Sequence, residues 1–86
     1  MENLITMLNA NEGHTVVAGF SEGFTKITSE YISHVKFDGN DLIIGEDDDH
    51  CIRLMEYKKW WVVVDNGFDF ILHSPDDKEE IMLCVC

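Results

Sequence analysis

Hydrophobic residues recur along this chain in two rhythms. Near the start, Leu4, Ile5 and Leu8 form an i, i+1, i+4 stripe. That stripe predicts a short helix over residues 2–12, with Gly13 as its stop and Glu2 at the positive end of the helix dipole. Residues 14–20 are rich in β-branched side chains and predict a strand. Over residues 21–31 the two rhythms compete. Phe20, Phe24, Ile27 and Tyr31 recur at helical spacing behind a candidate N-cap, Ser21, and predict a second helix. The threonines of the same stretch favour a strand.

From residue 32 onward the pattern is β. Ile32, His34 and Lys36 alternate with Ser33, Val35 and Phe37, and Asp38-Gly39 separates this run from Leu42-Ile43-Ile44. Asn66-Gly67 likewise separates Trp60–Asp65 from Phe68–His73. Both dipeptides predict tight hairpins, because such turns need positive φ. The loop Gly45–Asp49 leads into a strand at His50–Tyr57. Ser74-Pro75-Asp76-Asp77 reads as a turn, and Ile81–Val85 as the last strand. The predicted class is α+β: one or two N-terminal helices packed on an antiparallel sheet of about five or six strands. Nothing in the sequence marks a repeat or a linker, so residues 1–86 read as a single domain.

Composition narrows the function. The chain is 45% hydrophobic, too apolar for disorder, yet 17 acidic residues face six basic ones for a net charge of −11. Binding phosphate needs clustered Lys and Arg, so direct contact with nucleic acid or an anionic membrane is not expected. The charge favours a basic partner, a cation, or solubility alone. Cys51, Cys84 and Cys86 show no disulfide framework spacing. Met1-Glu2-Asn3-Leu4 lacks the basic start of a signal peptide, and no stretch reaches the ~20 apolar residues of a membrane span. A cytoplasmic location is expected.

Specific chemistry is harder to place. Zinc sites usually pair cysteines across a turn at Cys-x₂₋₄-Cys spacing. Cys84-x-Cys86 lies on a predicted strand instead, with His50-Cys51 elsewhere. A calcium loop started at Asp38 puts Leu42 at position 5 and Asp49 at position 12, where an oxygen ligand and a Glu belong. His14, His34, His50 and His73 fall on predicted strands or their ends. Ser29, Ser33 and Ser74 lack a nucleophile elbow, and no glycine-rich phosphate loop is present. The chain therefore reads as a non-enzyme without cofactor or metal.

The acidic residues are unevenly spread. Asp38, Asp41, Glu46, Asp47, Asp48 and Asp49 share a stretch without Lys or Arg, and Asp76, Asp77, Glu79 and Glu80 form a second cluster around Lys78. Alternate residues on a strand stand about 6.6–6.8 Å apart on one face. Phosphates on one DNA strand are spaced by about 3.4 Å along the axis, so such carboxylates match every second phosphate. These ten residues are the candidate partner-binding set. Trp61 joins them as an apolar anchor: adjacent strand residues face opposite ways, so Trp60 and Trp61 should part company. Phe68 is another candidate anchor.

Short acidic α+β chains of this kind resemble two groups of phage-encoded DNA-mimic inhibitors. Asn3-Leu4-Ile5 to Thr15-Val16-Val17, and then Val35-Lys36-Phe37-Asp38-Gly39-Asn40-Asp41-Leu42-Ile43-Ile44, are similar in pattern to the small anti-CRISPR proteins. Those occupy the DNA channel of an RNA-guided nuclease. Glu56-Tyr57-Lys58-Lys59-Trp60-Trp61-Val62-Val63 and Ile81-Met82-Leu83 are similar to late strands of the uracil-DNA glycosylase inhibitor family. Each likeness spans about half the chain, and the Cys-rich tail and the Asn66-Gly67 hairpin depart from both. The resemblance implies a phage or mobile-element inhibitor in the host cytoplasm, as monomer or homodimer. Its partner would be a basic nucleic-acid-binding protein: a nuclease, glycosylase or restriction component. The alternative is a non-enzymatic interaction or assembly module using an edge strand and an aromatic surface.

Overall fold

The computed structural model of the protein describes residues 1–22 and 25–85. Among these residues it has one α-helix, α1 (Glu2–Ala10), and eight strands. The strands are β1 (Thr15–Glu22), β2 (Thr25–Ile32), β3 (Val35–Asp38), β4 (Asp41–Asp47), β5 (His50–Leu54), β6 (Trp61–Asp65), β7 (Asp69–His73) and β8 (Glu80–Val85). A 3₁₀ turn at Tyr57–Lys59 precedes β6. One sheet runs β2-β1-β8-β7-β6 and the other β3-β4-β5, with every pairing antiparallel. The class is α+β, as the sequence pattern predicts.

Residues 21–31 depart from the helical reading. β1 continues through Glu22 and β2 begins at Thr25, while Phe24 lies outside the described residues. The spacing misleads for a simple reason: positions i and i+4 share a face in a strand of period 2 as well as in a helix. Ile27 and Tyr31 do so on β2, where Ile27 pairs with Phe20 and Tyr31 with Val16. With the period ambiguous, the β preference of the Thr-, Ile- and Tyr-containing stretch decides.

Register fixes the core. Val16 and Ala18 of β1, Ile81 and Leu83 of β8, and Phe70 and Leu72 of β7 lie on one face of the large sheet, since paired residues share a face. Onto that face pack Leu4, Met7 and Leu8 of α1, Leu42 and Ile44 of β4, and Ile52 and Leu54 of β5. Trp60 joins this core, its indole N–H donating to the Met55 carbonyl at 2.9 Å. Leu4 and Leu8 of the predicted stripe are fully buried, while Ile5 packs at the margin.

The predicted strand over 32–37 breaks at Ser33-His34, and the break is structural. Ser33 is fully buried, and its hydroxyl donates to the Leu8 carbonyl at 2.6 Å. Its own N–H donates to the His14 carbonyl, and its carbonyl accepts from the Gly13 N–H. One serine therefore ties the β2–β3 link to the carbonyl end of α1, where a helix leaves acceptors without helical partners.

The turns follow the predicted places with shifted detail. β3 and β4 join through Gly39-Asn40, with Gly39 at φ +61 as the first central residue. Gly67, at φ +86, lies in the loop between β6 and β7. Two bulges occur, one in the β4–β5 pairing and one in the β6–β7 pairing. Glu46 is the extra residue between Gly45 and Asp47, and Val63 the extra one between Val62 and Val64.

Candidate binding surface

The carboxylates predicted as a partner-binding set fall into three kinds. The first kind shapes the chain. Asp47 Oδ1 accepts the N–H groups of Asp49 (3.0 Å) and His50 (2.8 Å), closing the β4–β5 turn. Asp76 accepts from the Ser74 hydroxyl and from the Lys78 N–H, within the turn that links β7 to β8. These bonds, the hydroxyl first, hold its carboxyl below the ordinary carboxylate range. Asp41 Oδ1 accepts the Glu56 N–H at 3.0 Å, which fastens Glu56 in its left-handed conformation at φ +52. That bond, and after it the guanidinium of Arg53, holds the Asp41 carboxyl below its ordinary value against the opposing effect of desolvation.

The second kind is paired side chain to side chain. Arg53 reaches both Asp38 (2.7 Å) and Asp41 (2.8 Å), and Lys36 reaches Asp48 at 3.3 Å. Strand alternation places Lys36, Ile43 and Arg53 side by side on the outer face of the small sheet. Sequence distance hid these pairs, because the first acidic stretch contains no base of its own. In the second cluster, His73 stands between Asp77 at Nδ1 and Glu80 at Nε2, each 3.1 Å away.

The third kind is unengaged. Among the described residues, the side chains of Glu46, Asp49 and Glu79 are exposed and have no hydrogen-bond or ion-pair partner.

The fold brings members of both clusters to adjoining hollows, while Glu46 borders a separate one beside Glu12 and His34. A hollow of about 270 Å³ opens between β5 and the β1–β8 pair, with Glu79 and Glu80 at its margin and Trp60 and Ile81 in its wall. A neighbouring hollow on the small sheet is lined by Lys36, Asp38 and Asp48. Cys51 and Arg53 line both. Two carboxylate groups some thirty residues apart in sequence thus flank one arginine.

Apolar groups lie elsewhere. Trp60 and Trp61 do part company: Trp60 is 8% exposed and Trp61 56%. Trp61 pairs with His73 and so stands on the outer face of the large sheet. Phe68 is exposed in the loop after β6. The same outer face carries Ile71 and Met82, which the sequence reading passed over. Their signal was present in the unbroken runs Phe70-Ile71-Leu72 and Ile81-Met82-Leu83, which place apolar residues on both faces of a strand.

The site defines an acidic α+β domain that presents carboxylates around a shallow inter-sheet hollow. No group of three or more metal-ligating side chains occurs among the described residues, and none of their helices is long and apolar enough to cross a membrane. Comparison with protein-family models, with curated proteins and with solved structures finds no match.

Proposed function

We propose that this protein is an inhibitor that docks on a basic nucleic-acid-binding site of a host defence or repair enzyme. It would be phage or mobile-element encoded, act in the host cytoplasm, and imitate the charge of DNA, with an anti-CRISPR role favoured. The observation that supports this reading is that Glu79 and Glu80 of one cluster and Asp38 and Asp48 of the other border adjoining hollows that share Arg53. A surface of fixed carboxylates attracts a lysine- and arginine-lined channel at long range and competes there with phosphates. Glu46, Asp49 and Glu79 have no internal partner among the described residues, and Asp47 and Asp76, which accept only from neutral donors, keep their full charge beside them. Asp38, Asp41, Asp47 and Asp76 hold the surface in shape.

The test is capture from a host lysate on the tagged protein. At low salt it should retain a nuclease, glycosylase or restriction component, and release it at high salt or when nucleic acid is added. The Glu46→Gln/Asp49→Asn/Glu79→Gln variant should retain much less. Undiminished capture by that variant would overturn the electrostatic reading. A second reading, an interaction or assembly module, draws on the exposed Trp61 on the edge strand β6. Its binding would be insensitive to salt and would fall on Trp61→Ala.

A further inference from the structure

The outer face of the large sheet is apolar at its centre and bare. Register places Val17 and Gly19 of β1, Met82 of β8, Ile71 of β7 and Trp61 of β6 on this face, opposite the core. The helix and the small sheet all pack on the other side. Met82 is 45% exposed. Strands that are apolar on both faces belong to sheets covered on both faces, whereas a wetted antiparallel sheet alternates apolar with polar. At their centres, Ile71 and Met82, β7 and β8 have the first pattern, with Asp69, His73 and Glu80 outward at their ends, yet the structure covers them on one side.

Gly19 adds a second, independent feature. It lies mid-strand in unbroken register with both neighbours, and it is not among the glycines with positive φ. Neither a bulge nor a turn calls for glycine here. What remains is space, since a strand glycine can mark close approach by another molecule. A hollow of about 160 Å³ lies beside it, bordered by Ile71, Thr28, Met82 and Glu80. The Met82 methyl stands 3.3 Å from where a Gly19 Cβ would be, and this flexible side chain forms the movable wall of the hollow.

The rim determines the occupant. Glu30, Asp69 and Glu80 border the apolar centre on the same face, by their pairing with Val17, Cys84 and Ser21, with His73 beside Glu80 at 3.1 Å. A second copy would bring its own carboxylates against these, on top of a net charge of −11 for each chain. We infer that this face docks a protein partner that inserts an apolar side chain beside Gly19 and sets lysines or arginines against Glu30, Asp69 and Glu80. The surface adjoins the inter-sheet hollow and shares Glu80 with it, but its apolar centre lies on the opposite face from the core, and the inference does not rest on DNA mimicry.

The probe is a synthetic peptide, Lys-Leu-Lys-Phe-Lys-Leu-Lys, compared with Lys-Ser-Lys-Ser-Lys-Ser-Lys of equal charge. Binding is followed by NMR on the intact chain. The apolar peptide should shift the Gly19 amide, the Met82 methyl and the Trp61 indole, and bind at least tenfold more tightly than the serine peptide. Gly19→Val fills the hollow with a good strand former, so it should keep or raise the thermal midpoint while weakening the apolar peptide at least tenfold. Met82→Lys, a change at an exposed position, should weaken it similarly and serves if Gly19→Val misfolds. Equal binding of the two peptides, or shifts confined to Asp47, Asp48 and Asp49, overturns the inference and leaves the acidic surface untouched. So does a peptide-free dimer that forms through this face at high salt, which would make the occupant a second copy.

Discussion

Arg53 and Asp41 meet through a single carboxylate oxygen: Nε and Nη2 of the guanidinium both lie 2.8 Å from Oδ2 of Asp41. The other oxygen accepts the Glu56 N–H, so one aspartate joins β4, β5 and the turn before β6. Its charge is used inside the molecule. The consequence appears at low pH. Asp41 and Asp76 have folded-state values below the ordinary 3.8. Between the two values the unfolded chain binds more protons than the folded one. Their contribution is therefore complete above the ordinary value and lost as pH falls through the lower, folded one. Urea midpoints measured from about pH 6 to pH 2.5 should fall more steeply for the wild type than for Asp41→Asn/Asp76→Asn. Parallel curves would remove these two groups as the cause.

Two classes of carboxylate substitution should separate cleanly. Glu46→Gln, Asp49→Asn and Glu79→Gln touch no internal partner among the described residues, so stability should stay within about 0.5 kcal/mol of wild type. Asp38→Asn with Asp41→Asn removes both partner charges of Arg53 and should lower the denaturation midpoint. Equal midpoints for the two sets, read by chemical denaturation, would contradict the division.

Removing the Ser33 hydroxyl leaves the Leu8 carbonyl without that donor in a fully buried setting. Ser33→Ala should cost about 1–3 kcal/mol, measured by urea unfolding. Ser33→Thr retains the donor and should recover part of the loss.

Gly45 has φ +149, and a Cβ there would stand 2.5 Å from the His50 carbonyl oxygen and 2.6 Å from the Cys51 Cα. Both are backbone atoms and cannot swing aside. Gly45→Ala should cost about 1–3 kcal/mol or more, and amide exchange should quicken first in β4 and β5.

Much of the fold is legible before any coordinates. The helix, the strands from 35 onward and both glycine hairpins follow from periodicity and turn chemistry acting over a few residues. Residues 21–31 do not, because Ile27 and Tyr31 satisfy two periods at once. The division into two sheets is also hidden, since it depends on β8 returning to pair with β1 from across the chain. The candidate surface was half visible. Trp61 is exposed as alternation requires, and the acidic clusters were evident as runs of charge. Which carboxylates are consumed by Arg53, by Lys36 or by turn amides is a long-range matter. So is the emptiness beside Gly19, which only a neighbouring strand can define.

Trp60 and Trp61 are neighbours in sequence that live in different solvents. One emission spectrum therefore contains two reporters: a blue component from the indole in the core and a red component from the one in water. Unfolding must move the first, whereas anything that settles on the outer sheet must move the second while sparing the first. Acrylamide, being neutral, should quench the red component freely, and iodide should be held off by the −11 charge until salt is raised. A variant that has lost its shape can thus be told from one that has lost its partner in a single cuvette, without attaching a dye.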